Sequence, residues 1–159
     1  MVNVEHDPYP IRKVLFPVDF SDCSRRVLPY ARQIAERHEA ELYMLYVARD
    51  LGYFAGLHVS GDAISGFVKE VENAGKKMIE QLCNEELPGY PKLVPKVVVG
   101  EPGAEIVKMI EEEGIDLVVM GTHGRKGLDR ALVGSVAEHV IKFSTAPVMT
   151  INPFRVKQG

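Results

Sequence analysis

Asp116-Leu-Val-Val-Met-Gly-Thr-His-Gly124, followed after nine residues by Gly134-Ser-Val136, is the stretch whose reading decides the fold. A short apolar run with no helical period ends abruptly at a glycine, and a helical pattern resumes at Ser135. Such a run reads as a buried strand, and the whole stretch as strand, glycine loop, helix. Glycines let a backbone approach an anion closely, and a helix N-terminus offers unpaired N–H groups at the positive end of its dipole. The stretch is therefore a candidate phosphate cradle.

The same alternation extends on both sides. Lys13-Val-Leu-Phe-Pro-Val-Asp19 reads as a first strand, with Ser21 or Ser24 capping a helix whose apolar positions are Val27, Leu28, Ala31, Ile34 and Ala35. Pro29 is expected to distort that helix early on. Glu41–Val47 reads as a second strand. Residues 50–66 hold four glycines (Gly52, Gly56, Gly61 and Gly66) and no clean period, so they read as a flexible loop, with helical spacing resuming at Val68. Leu93–Val99 is a third strand. Pro102 suits the first position of the next helix, Glu111–Glu113 reads as a solvated face, and Gly114 as its stop. Asp116–Met120, Ser135 to about Phe143, and Pro147–Ile151 supply the fourth strand, fourth helix and fifth strand.

Strands alternating with helices predict a mostly parallel sheet with right-handed crossovers and helices on both faces. Ligands of such sheets bind beyond the carboxyl ends of the strands, and Asp19, Val47 and Gly121 all fall at strand ends. The chain has 159 residues, 46% hydrophobic and 26% charged, with a net charge of −3. That fits one soluble domain with its core over about 11–152, and gives no reason to expect nucleic-acid binding. Neither a membrane span nor a signal peptide is evident, so a cytoplasmic location is expected. Cys23 and Cys83 are expected to be reduced thiols.

These pieces together resemble the universal stress protein family. The glycine pattern at Gly121, Gly124, Gly134 and Ser135, the opening strand Val14–Ser21, the turn Gly100-Glu-Pro102 and the lead-in Ala146-Pro-Val148 stand in the family's order. The resemblance spans about Ile11 to Asn152. It implies a five-stranded parallel sheet in the order 3-2-1-4-5, of the adenine-nucleotide alpha hydrolase-like type. It also implies ATP as ligand (ADP or AMP as alternatives, with Mg2+ accompanying ATP), and homodimers formed through the last strand, Val148 to Ile151.

On that resemblance Asp19 is an adenine or ribose acceptor; the alternative is a cap for the first helix, a role that Ser21 and Ser24 can already fill. Pro17 and Val18 wall the adenine pocket and Val47 offers backbone contacts, although core packing explains all three without the family. Met120 leads into the cradle of Gly121, Gly124, Gly134 and Ser135, to which Val136 adds a backbone N–H. His123 reads as a phosphate donor or a solvent-facing loop residue. Arg125 and Lys126 either neutralise the outer phosphates or are merely solvated. No metal-ligand spacing surrounds His123, no P-loop or dinucleotide glycine pattern occurs, and no water-activating base is evident. The expected function is thus an ATP-binding regulatory or stress-response module without a catalytic residue. The rivals are a slow ATPase or nucleotidyl-transfer enzyme, and a nucleotide-free interaction protein.

Overall fold

In Lys13–Val18 (β1), Val14, Phe16 and Val18 point to one side and Leu15 to the other, and all four are buried. A strand apolar on both faces belongs inside a sheet covered by helices. The computed structural model, which describes residues 8–49, 60–123 and 133–157, places it there. The elements that follow are α1 (Asp22–Arg37), β2 (Glu41–Arg49), α2 (Gly61–Glu86), β3 (Leu93–Gly100), α3 (Pro102–Glu113), β4 (Leu117–Gly121), α4 (Ser135–Phe143) and β5 (Val148–Ile151). Every strand pairing is parallel, and the order is β3-β2-β1-β4-β5, as the resemblance implies.

Two apolar layers result. Val14, Phe16 and Val18 join Leu42, Met44 and Val119 against Val27, Leu28 and Ala31 of α1 and Ile79 and Leu82 of α2. On the opposite face Leu15, Tyr43, Leu45, Val118 and Met120 meet Ile106, Met109 and Ile110 of α3 and Ala137 and Val140 of α4. Full burial contributes about 1.5–3 kcal/mol for each large apolar side chain, so tertiary packing outweighs local propensity. Pro29 illustrates this. It sits inside α1 on the exposed side, next to buried Val27 and Leu28, and α1 runs through it unbroken. Its missing hydrogen bond and ring crowding, costing about 3 kcal/mol or more, are offset by its neighbours' burial.

Three expectations need correction. The helix expected from Val68 starts at Gly61, so within 50–66 the loop reading fails for residues 61–66; residues 50–59 lie outside the described part. Residues 61–67 are all exposed, and without a buried face no apolar period marks that first part of α2. Glu113 is not simply solvated. Its carboxylate takes Lys96 Nζ at 3.0 Å and the Tyr43 hydroxyl at 3.4 Å, and Lys96 holds it below the usual carboxylate range. Asp116 does not belong to β4 either: its Oδ2 accepts the Arg12 and Lys13 backbone N–H groups at 2.8 and 2.9 Å.

At Gly75, α2 lies close against the sheet. A Cβ there would lie 2.9 Å from Val97 Cγ1 and 3.0 Å from Tyr46 Cδ1. Replacing Gly75 with valine is expected to force the helix outward at a cost of about 1–3 kcal/mol, lowering the melting temperature by several degrees in a calorimetric scan. An unchanged melting temperature would show that α2 does not need this contact.

Candidate functional site

The crossovers from β1 run to β2 and β3 on one side, while β4 and β5 lie on the other. The order of strands therefore reverses between β1 and β4, and the crevice opens beyond their carboxyl ends. Asp19 follows β1 there, and Gly121 closes β4.

Asp19 is half-buried and heavily braced. Its Oδ1 accepts the Ser21 N–H at 3.0 Å, the Ser21 hydroxyl at 2.5 Å and the Ser24 hydroxyl at 2.7 Å, while its own N–H donates to Ser24 Oγ at 3.2 Å. Ser21, not Asp19, caps α1, accepting the Ser24 N–H. Between them Phe20 stands at φ 60°, a left-handed conformation unusual for an aromatic residue, and its ring packs at 4.8 Å on Tyr46. A strained residue held by a web of hydroxyls is a pattern of functional sites. The turn fixes the carboxylate at the strand end.

Val18 is 4% exposed and its side chain belongs to the core beneath α1, so only its backbone faces the strand end. Pro17 and Val47 are half-buried on the α3–α4 face, and Met120 is buried there.

On the β4 side the backbone closes on itself. Thr122 donates its N–H to the Ile151 carbonyl at 3.0 Å and accepts the Gly134 N–H at 2.7 Å, so both limbs of the glycine loop are tied together at their base. A Cβ on Gly121 would lie 3.0 Å from the His123 carbonyl, and one on Gly134 3.2 Å from the Thr122 carbonyl. Gly134 has φ −65° and ψ 152°, which any residue adopts. Close approach, not dihedral freedom, is what calls for glycine there.

Gly134 is the N-cap of α4, and Ser135 is its exposed first helical residue. The cap is thus the glycine and not the serine that follows it. A glycine cap has no side chain to satisfy the first-turn N–H groups. α1 and α3, by contrast, are capped by the Ser21 and Glu101 side chains. The N-terminus of α4 thus reaches the crevice with no side-chain cap among the described residues, a geometry that accepts an anion.

His123 is 9% exposed, so the solvent-facing alternative does not hold. Its Nδ1 lies 2.7 Å from Thr122 Oγ1, and its ring meets Phe154 edge-on at 5.1 Å. Gly124, Arg125 and Lys126 lie outside the described residues. Among those described, no group of His, Cys, Asp or Glu could hold a metal ion, and no helix is long and apolar enough to cross a membrane. Cys23, near Asp19, has its thiol pushed up by burial and then by the Asp19 charge, which makes it a poor nucleophile.

Sequence reasoning missed the Phe20 conformation, for which no residue pattern exists. It also missed the packing of Phe154 on His123. The Asn152-Pro153 turn dipeptide was the available signal.

The profile of the Universal stress protein family matches residues 10–152. Universal stress protein MJ0531 of Methanocaldococcus jannaschii is 37% identical over 142 residues, covering 88% of this chain and 81% of that protein. MJ0577 of the same organism is 33% identical over 88% of this chain and 94% of its own. Its solved structure superimposes with a TM-score of 0.78, covering 94% and 99% of the two chains. A universal stress protein from Archaeoglobus fulgidus, solved in complex with dAMP, shares the fold at 24% identity and a TM-score of 0.54, covering 91% and 99%.

Just after β3, the exposed Glu101 caps α3 by accepting the Ala104 N–H at 2.7 Å, and that bond holds its carboxyl below the ordinary value. A depressed carboxyl stabilises the fold above its unfolded pKa and loses that contribution as pH falls through the folded value. Glu101→Ala should therefore lower stability by about 0.5–2 kcal/mol at pH 7. In thermal melts across pH, the gap from wild type should close below about pH 4. A gap that persists at pH 2.5 would contradict this.

Proposed function

The chain belongs to the universal stress protein family, and from that premise we propose that it is an ATP-binding member acting as a nucleotide-dependent regulatory module. One observation carries the reading: the α4 N-terminus, with a glycine for its cap, opens at the strand-order reversal beside the braced Asp19. Glycine caps of this kind leave N–H groups for a phosphate to occupy.

In this reading Gly121, Gly124, Gly134 and Ser135 cradle the phosphates, and Val136 adds a first-turn N–H. His123 donates to phosphate and Arg125 neutralises it. Asp19 accepts the adenine amine or a ribose hydroxyl, Pro17 and the Val18 backbone wall the base, Val47 offers backbone contacts and Met120 leads into the cradle. ATP brings Mg2+ with it. ADP and AMP fit the same adenine end with fewer phosphate bonds. The dAMP complex of the Archaeoglobus fulgidus relative supports an adenine nucleotide in this fold. With Asp19 assigned to the base or ribose and His123 to phosphate, this reading is of a sensor rather than an enzyme. A ligand bound only by the folded state stabilises it in proportion to its concentration, so the protein can report nucleotide level. We place it in the cytoplasm.

The homodimer forms along β5. Met149 on that edge strand is exposed, and Ile141 and Phe143 at the end of α4 are half-exposed apolar side chains nearby in sequence. An apolar edge of this kind invites a partner. Light scattering at micromolar concentration should return twice the chain mass, and a monomer mass would remove this part of the proposal.

The ligand is tested by calorimetry. Gly134→Val puts a branched side chain against the Thr122 carbonyl, where the loop closes. Losing even one charge-assisted hydrogen bond, about 1.5–3 kcal/mol, should weaken ATP at least tenfold. The melting temperature without nucleotide should move only modestly. Asp19→Ala should weaken adenine discrimination more than phosphate affinity. If Gly134→Val binds ATP as tightly as wild type, the loop is not the phosphate site. Steady ATP turnover by wild type would favour the slow-ATPase rival.

A further inference from the structure

Beyond β5 the chain does not trail away. Asn152 Oδ1 accepts the Phe154 N–H at 3.0 Å and the Asn152 carbonyl accepts the Arg155 N–H at 3.1 Å, a tight turn that the Asn-Pro pair favours. Pro153 is buried, and its carbonyl receives Arg26 Nη1 of α1 at 3.4 Å. The turn thus lies against α1 and presents the Phe154 ring edge-on to His123, at 69° and 5.1 Å between centroids. One residue before the turn, the Ile151 carbonyl takes the Thr122 N–H.

We infer that residues 152–156 form a strap that positions the first limb of the nucleotide loop, with Phe154 and Arg26 as positioning residues. Three contacts converge on two loop residues: Ile151 holds the Thr122 backbone, Phe154 holds the His123 ring, and Thr122 Oγ1 sets the ring's orientation through Nδ1. The Thr122 carbonyl in turn holds Gly134, the cap of α4. The strap therefore reaches both the histidine and the helix end that the proposed function assigns to phosphate. Neither Phe154 nor Arg26 need touch the ligand. Because the strap continues directly from β5, the same residues join the edge strand to the loop.

This inference rests on the nucleotide reading, and the experiment separates the two. Phe154→Leu, which keeps an apolar side chain but loses the ring, and Arg26→Met, which keeps the stem but loses the guanidinium, are titrated with ATP and with adenosine. The strap acts at the phosphate end, so each variant should bind ATP more weakly, by about tenfold for Phe154→Leu, with adenosine affinity unchanged. A merely structural role would weaken both ligands together. Amide exchange without ligand gives an independent reading: the Gly134 N–H should exchange faster in Phe154→Leu than in wild type. Wild-type binding with equal ATP affinity in both variants would overturn the strap's role, as would parallel loss of ATP and adenosine. A wild type that binds no ATP would overturn the nucleotide reading instead. The exchange rate then decides alone, with acceleration keeping the strap as a loop-positioning element and no change removing it.

Discussion

The pairing of β1 with β4 is the constraint on which the rest depends. It joins segments about a hundred residues apart, aligning Val14 with Leu117 and Leu15 with Val118. Asp116 pins the start of the pair through the Arg12 and Lys13 N–H groups. Closing so long a loop carries an entropic cost that local interactions cannot meet, and the burial of both strands on both faces must offset it. Once the pair is made, α1 and α2 cover one face and α3 and α4 the other. The strand order then has to reverse at this point, and the reversal is what creates a crevice.

The proposed function follows from what the two strand ends carry. One ends in a carboxylate immobilised by two serine hydroxyls and a left-handed phenylalanine; the other ends in a glycine turn tied to a glycine-capped helix. An acceptor of fixed geometry beside a set of backbone donors is complementary to a molecule with a hydrogen-bonding base at one end and anionic charge at the other. Preorganisation matters here because a carboxylate free to rotate, or a loop open at its base, would have to be ordered on binding.

Much of this was legible in the sequence. Apolar runs marked every strand, most plainly the central β1, β2 and β4, which are buried on both faces and need apolar residues throughout. Pro102 and Gly114 bracketed α3 because the first residue of a helix needs no N–H and its end tolerates a left-handed residue. Legibility failed where burial was absent. The first turns of α2 have no buried face, so Gly61–Phe67 carry no period. It failed again where long-range contacts decide a role. Glu113 looked like surface charge until Lys96 and Tyr43 met it, and His123 looked like a loop residue until Phe154 covered it. Of the candidate site, the strand ends and glycines could be read directly. That Gly134 and not Ser135 is the cap, and that Thr122 knots the loop, needed the backbone itself.

The central claim is that an adenine nucleotide sits at the β1–β4 reversal with its phosphates on the α4 N-terminus. Amide chemical shifts during an ATP titration test it most directly. The account predicts saturable shifts at Ser135, Val136, Thr122 and the Asp19–Ser21 turn, with Gly89 and Tyr90 undisturbed. Shifts confined elsewhere, or none at millimolar ATP, would contradict it.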